Sequence, residues 1–365
     1  MIKTKGVLLN MYNNGDDSIY KKMAADISNS NDISEDEKTK LLKNITRLKE
    51  NKINLMIVGA TGVGKSSTIN ALFGEEVSKV GRSPDPETQK IEKYDLGNLI
   101  LWDTPGLGDS EEADKRYATF IRKKLTENDV HGKPLIDLVL VLTEGGSKGL
   151  ETTYNLINKI IIPALGGTNE KCKNRILLAI NQCDLAMKSR GWNHEKNCPE
   201  PKLKAFLEEK VVSVHNRIKE DTGVDIEPIY YSAAAGEDEI PYNLSKLLYL
   251  IIKYTPKEKR VIYADQINHD PTARQYDDGE DNYNGKSAAL ILESIKDGAV
   301  EGADAGSDIG SDIGSNIGKT VGSPFGSVGE EIGELVGGAI GSLSGNAIGG
   351  FVGGAVGFVK GLFGL

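Results

Sequence analysis

From Ile53 onward, short apolar runs alternate with amphipathic stretches. The runs are INLMIV, KIEKYDL, NLILWD, LIDLVLVLT, RILLAIN and EPIYYSA, and helical spacing is predicted to begin near Lys65, Glu112, Leu150, Pro201 and Asn243. Near-continuous apolar strands alternating with helices specify an α/β fold, a doubly wound, mostly parallel sheet with helices on both faces. KIEKYDL and NLILWD meet around Gly97 and Asn98, which predicts one antiparallel hairpin at the sheet edge. Residues 1–50 read as a polar helical extension, with Leu41, Leu42, Ile45 and Leu48 at helical spacing. Ser34 ahead of Glu35 and Glu37 marks a helix start.

The pattern changes twice more. The α/β domain spans residues 51–255. Residues 256–290, opening on TPKEKR and running to DDGEDNYNG, read as a polar acidic linker with little to bury. Residues 291–365 carry glycine at every fourth position, from Gly298 through Gly326 and, after a slip of three to Gly329, on to Gly361.

Composition adds limits. Hydrophobic residues make up 39% of the 365 and charged residues 27%, the balance of a globular protein with an ample core. The net charge of −9 is concentrated: Asp270 to Glu334 holds fourteen acidic and four basic residues. The remainder is close to neutral, so there is no strong nucleic-acid signal. Three cysteines, Cys172, Cys183 and Cys198, suit a reducing cytosol better than a disulfide framework. Cys198 beside His194 lacks further ligands nearby for a metal. The first residues, MIKTKGVLLNMYNNGDD, do not read as a signal peptide, and the expected location is cytoplasmic.

The chemistry begins at GATGVGKSS. Gly59 through Ser66 match G-x-x-x-x-G-K-[ST] between a strand and a helix, a loop whose backbone N–H groups cradle phosphate oxygens. Gly59, Thr61, Gly62, Val63 and Gly64 form the cradle. Lys65 bridges the β- and γ-phosphates, Ser66 ligates Mg2+, and Ser67 meets the α-phosphate. NLILWDTPGLGD then puts Asp103 at a strand end, where a carboxylate holds Mg2+ through water, and Gly106 where an N–H senses the γ-phosphate. Between them Thr88 is the candidate to close over Mg2+, with Ser83 the other choice. LLAINQCD supplies Asn181, Gln182 and Asp184; Asp184 can accept from guanine N1–H and the exocyclic amine, a pairing adenine cannot make. YYSAA supplies Ser232, Ala233 and Ala234, whose N–H groups can meet guanine O6.

Together GATGVGKSS, Thr88, DTPG, NQCD and SAA resemble the motif set of the translation-factor-related P-loop GTPases. The nearest subgroup is the Era-like GTPases, in particular the bacterial ones of prophages and genomic islands, over about residues 51–255. The resemblance implies a Ras-like fold, GTP and GDP with Mg2+, and GTP hydrolysis with two switch segments. Three positions depart. Gln182 replaces the lysine whose stem packs on the base. Leu107 stands where Ras-like proteins carry the glutamine that orients water. Gly62 stands where potassium-activated members carry asparagine. The loop is also similar to that of septin-related GTPases, which dimerise across their nucleotides. No stretch of this sequence reads as the RNA-binding domain that follows the GTP-binding domain in Era, so the resemblance does not imply a ribosomal role.

Glycine every fourth residue is poor for an isolated helix in water, by about 1 kcal/mol each. It suits helices packed backbone to backbone. Leu335 to Val359 is free of charge for 25 residues, enough to span a bilayer. Membrane association, packing or oligomerisation, and a flexible tail remain three open readings of the repeat. Two functions fit the whole: a slow GTPase switch, stimulated by dimerisation or a partner, that controls the tail; or a GTP-binding scaffold of septin-like type that oligomerises without turnover.

Overall fold

The computed structural model describes residues 18–31, 34–74, 77, 92–104, 110–146, 150–167, 170–234, 239–300 and 311–341. At its centre are β1 (Ile53–Gly59), β2 (Glu92–Asp95), β3 (Leu99–Asp103), β4 (Leu138–Glu144), β5 (Ile176–Asn181) and, last in the chain, β8 (Ile229–Tyr230). They form one sheet in the order β2-β3-β1-β4-β5-β8, parallel throughout except for the edge strand β2. The expected edge hairpin is present, and its turn uses Gly97 at φ 86°, a left-handed conformation. A small separate ribbon pairs β6 (Trp192–Asn193) with β7 (Cys198–Pro199).

Helices connect the strands, and one more follows the last of them. They are α3 (Lys65–Phe73), α4 (Glu111–Thr126), α5 (Glu151–Leu156), α6 (Ile162–Ala164), α7 (Glu170–Lys173), α8 (Pro201–Thr222) and α9 (Leu244–Tyr254). A π-helical turn, Ile157–Ile161, joins α5 to α6. Side chains alternate along each buried strand. Ile53, Leu55 and Ile57 of β1 pack with α3 and α9, whereas Met56 and Val58 pack with α4, α5 and α8. This is the expected doubly wound, Ras-like arrangement.

The region read as an acidic linker is instead built into the core. A 3-10 turn (Lys257–Lys259) leads to α10 (Val261–Gln266), and Val261, Ile262, Tyr263 and Ala264 are all buried. The surrounding charge masked this apolar quartet, and much of that charge is paired. Lys246 binds Asp278 at 2.6 Å and Glu280 at 3.0 Å, and Lys259 binds Asp137 at 2.6 Å. α11 then begins inside the supposed linker (Tyr283–Val300).

The same core takes in both ends of the described chain. α1 (Ile19–Asn29) and α2 (Glu35–Glu50), the latter opened by a capping box between Ser34 and Glu37, supply Met23, Ile27, Ile45 and Leu48. α11, α12 (Ser311–Gly322) and α13 (Gly326–Gly341) supply Ile291, Leu292, Val321 and Ile332. These residues join one cluster with Ile69, Leu72 and Phe73 of α3. Asn268 reinforces the join: its N–H donates to Leu72 O at 2.8 Å and its side-chain amide to Ala71 O at 3.3 Å. Buried Arg274 in turn donates to Asn268 O and, at 2.6 Å, to Pro324 O in the turn between α12 and α13.

α12 and α13 pack through glycine. A Cβ built on Gly333 would sit 2.6 Å from the Gly318 carbonyl carbon, and one on Gly322 would sit 2.6 Å from that of Gly329. Gly314 and Gly337 face each other in the same way. No described helix is long and apolar enough to cross a membrane. Of the stretch 335–359, residues 342–359 lie outside the described ones.

Alanine normally stabilises a helix relative to glycine by about 1 kcal/mol. Here Gly333→Ala should do the reverse, costing about 1–3 kcal/mol, because the two backbones must separate. Glu331→Ala on the exposed face of α13 should stay within about 0.5 kcal/mol of wild type. Thermal unfolding of both variants checks this; equal midpoints would contradict it.

Candidate nucleotide site

β1 delivers the chain into the loop that precedes α3. Two glycines there hold left-handed backbone, Gly62 at φ 81° and Gly64 at φ 84°. Gly59 is required for a different reason: a Cβ would lie 2.5 Å from Leu142 O on the neighbouring strand. Lys65 is the first residue of α3 and is buried, with its Nζ donating to Ala60 O at 3.0 Å and Gly59 O at 3.3 Å. Ser66 and Ser67 follow in the first turn, where unpaired N–H groups and the helix dipole favour an anion.

The base-reading segment is fastened to this loop. Asn181, at the end of β5, donates from Nδ2 to Val63 O at 2.9 Å and accepts from the Ala233 N–H at 3.0 Å. Gln182, at φ 58°, donates from Nε2 to Gly62 O at 3.0 Å. One amide therefore joins NQCD, SAA and the phosphate loop, and a second doubles the link. Gly64 is free of Cβ where the Asn181 amide approaches it. Gly64, Ser67, Asn181, Gln182, Asp184, Ser232, Ala233 and Ala234 all line one open cleft of about 300 Å³, so the structure brings these expected residues together.

Among the described residues, two acceptors in this region lack a partner: Asp184 Oδ1 and Asp103 Oδ1 are both buried without a hydrogen bond, a costly arrangement that a ligand would relieve. Asp103 closes β3 at 1% exposure, and burial pushes its carboxyl up to about 7. The nearby Lys65 charge works against that rise and Glu92 adds to it. A hard oxygen donor beside a phosphate loop, with the Ser66 hydroxyl opening α3, fits a divalent cation of the Mg2+ kind. Thr88, Ser83, Gly106 and Leu107 lie outside the described residues, as does any contact they make.

Some contributors were invisible in the motifs. Thr68 Oγ1 lies 2.6 Å from the buried Tyr231 hydroxyl and 2.7 Å from Gly64 O, tying α3 to the strand before SAA. Leu185 and Glu239 also line the cleft. The tyrosine pair in YYSAA was a signal, since a fully buried tyrosine needs a hydroxyl partner.

Comparison with known proteins agrees with this geometry. Residues 54–182 match the family model described as 50S ribosome-binding GTPase. This segment is an Era-like P-loop GTPase domain. The uncharacterized protein YfjP of Escherichia coli (strain K12) is 30% identical over 160 residues, 42% of this chain and 50% of that one. GTPase Era of Stenotrophomonas maltophilia (strain K279a) is 27% identical over 143 residues, 38% of this chain and 42% of that one. The chain thus spans about half the length of these curated relatives, or less. Toc33 from Arabidopsis thaliana, solved in complex with Mg2+ and GMPPNP, is 17% identical with a TM-score of 0.36, covering 60% of this chain and 85% of that one. The fold of the GTPase domain rests on its own strand order and not on that likeness.

Asp103 gives the nucleotide-free GTPase domain a pH signature. Its folded value of about 7 lies above the ordinary value near 3.9 of an unfolded chain. Between roughly pH 4 and 7 the folded state keeps a proton that the unfolded state has released, so stability falls as pH rises through that window. Thermal unfolding without nucleotide or Mg2+ should show this fall, and Asp103→Asn should flatten it. Parallel profiles for the two proteins would sink the assignment.

Proposed function

We propose that this chain is a Mg2+-dependent GTP-binding protein that hydrolyses GTP to GDP and phosphate slowly, as a switch. Turnover rises on dimerisation or with a partner, and the cycle controls the glycine-repeat tail. The observation that carries the nucleotide reading is the unpartnered, buried Asp184 Oδ1 in a cleft whose floor is laced to the phosphate loop through Asn181.

In this reading the N–H groups of Gly59 to Gly64 and of Ser66 and Ser67 hold the phosphates. Lys65 exchanges its two carbonyl partners for β- and γ-phosphate oxygens. Ser66, Thr88 and Asp103 would hold Mg2+, which would neutralise phosphate charge, and Gly106 senses the γ-phosphate. Asp184 takes guanine N1–H and the exocyclic amine. O6 falls to the Ala234 N–H, whose bond to Ser232 Oγ is long at 3.3 Å, because the Ala233 N–H is held by Asn181 and that of Ser232 by Tyr242 O. Gln182 spends its amide on Gly62 O, so the base stacks on a shorter, neutral stem than lysine offers. Leu107 has no group to orient the attacking water, and that supports slow intrinsic turnover.

The glycine contacts between α12 and α13 support a glycine-zipper reading of the repeat, whose role is association with a membrane or with a second copy. Leu107 also supports a second reading, a GTP-binding scaffold that oligomerises with negligible hydrolysis.

Titration of the full chain should show GDP and GTP binding with ADP and ATP excluded. Asp184→Asn should weaken GDP by about 10-fold or more, the scale of a lost hydrogen bond to a charged group. It should favour xanthosine diphosphate, because the swap turns an acceptor into a donor. Unchanged GDP affinity in the variant would refute the base assignment. Single-turnover hydrolysis measured against protein concentration separates the two readings. A rate that climbs with concentration supports the switch, and no hydrolysis at any concentration supports the scaffold.

A further inference from the structure

The core-facing stripe of α8 reads Leu203, Leu207, Lys210, Val214, Ile218. Four of these side chains are buried in the second core. The fifth is a lysine at a position where the spacing calls for leucine. Burial lowers the pKa of its ammonium, with the Glu144 charge opposing, so placing a cation there has a cost. What it meets is specific. Lys210 Nζ donates to Gly145 O at 2.6 Å and to Glu144 O at 3.0 Å, the last carbonyls as β4 ends.

Those two residues form the back wall of the base-reading motif. Glu144 pairs with Asn181 in the sheet register, and the Gly145 N–H donates to Asn181 O at 2.7 Å. A Cβ on Gly145 would lie 2.8 Å from Gln182 O and 3.2 Å from both Asn181 O and Cys183 Cα. The backbone of NQCD therefore rests directly on Gly145. Its front side is held by the Asn181 and Gln182 amides, which reach the phosphate loop. Asp184 follows immediately, with its Oδ1 unpartnered.

We propose that Lys210 is a positioning residue for base recognition: by holding the Glu144–Gly145 carbonyls it fixes the wall that aims the Asp184 carboxylate at the two donors of guanine. This rests on the guanine reading of the cleft. A neutral or apolar side chain at 210 would leave two strand-end carbonyls without a charged donor, and the wall would relax away from NQCD. The penalty falls on the geometry of a two-point hydrogen bond. Affinity for a base that offers both donors suffers more than affinity for one that offers a single donor.

The test compares GDP with inosine diphosphate, which keeps N1–H and lacks the exocyclic amine, on the full chain. Wild type should prefer GDP to inosine diphosphate. Lys210→Met should reduce that ratio by about fivefold, a fraction of the full loss of a hydrogen bond to a charged group. Lys210→Arg, which keeps two donors, should restore most of it. Gly145→Ala presses on the same wall from the other side and should lower the ratio too, which keeps the test open if Lys210→Met does not fold. A general loss of stability would weaken both nucleotides together and leave the ratio unmoved. That result, or wild-type discrimination in both Lys210→Met and Gly145→Ala, overturns the role of Lys210. A wild-type chain that binds ADP as well as GDP instead overturns the guanine reading itself.

Discussion

One buried side-chain amide holds three loops in register. Asn181 is 2% exposed, and its oxygen and nitrogen are both committed, one to the Ala233 N–H and one to Val63 O. Asn181 lies 118 residues from Val63 of the phosphate loop and 52 residues from Ala233 in the loop after β8. Each of the three loops is short and holds left-handed backbone, at Gly62 and Gly64, at Gln182 and at Ala234, so each depends on outside support. An amide is suited to the task because it donates and accepts at fixed geometry in one plane. Inside a low-dielectric cleft such a pair is strong when satisfied and costly when broken. Gly64 belongs to the same constraint, since any side chain there would occupy the space of the Asn181 amide.

The sheet and its chemistry were legible because both announce themselves locally. Uninterrupted apolar runs such as LVLVL specify buried parallel strands, and GATGVGKSS is a backbone conformation written as residue types. The edge hairpin around Gly97 followed from two adjacent runs and a turn signal. Misreading came where charge and core were interleaved. VIYA lies between KEKR and an acidic stretch, and a composition average over that window hides four fully buried side chains. Contacts distant in sequence were also illegible: nothing in YYSAA or GKSST alone pairs Tyr231 with Thr68. Lys210 was invisible for the same reason, since its two acceptors are carbonyls on a different element.

The helices flanking the GTPase domain in sequence are continuous with it in packing. α1 and α2 before β1, and α10 to α13 after α9, cover the same sheet face as α3. α3 begins at the phosphate cradle, and its last carbonyls accept from Asn268, whose own carbonyl accepts from Arg274 beneath the α12–α13 turn. The Arg274 guanidinium is buried, with burial lowering its pKa to about 10 and Asp270 partly restoring it. Among the described residues its Nε has no partner, so this tie sits in a setting where displacement is costly.

That shared core orders events during synthesis. Leu72 and Phe73 end a helix made early, yet Val321 and Ile332 in the same cluster are translated some 250 residues later. At typical elongation rates the interval is about 12–50 s. Throughout it the apolar side of α3, and of β1 beneath it, lacks its final cover while the phosphate loop is already complete in sequence. The nascent chain therefore presents an adhesive surface for a time that is long compared with helix or hairpin formation. Synonymous changes that slow translation between α3 and α13 would lengthen that exposure, so the yield of folded protein is tied to the pace of the ribosome across that whole interval.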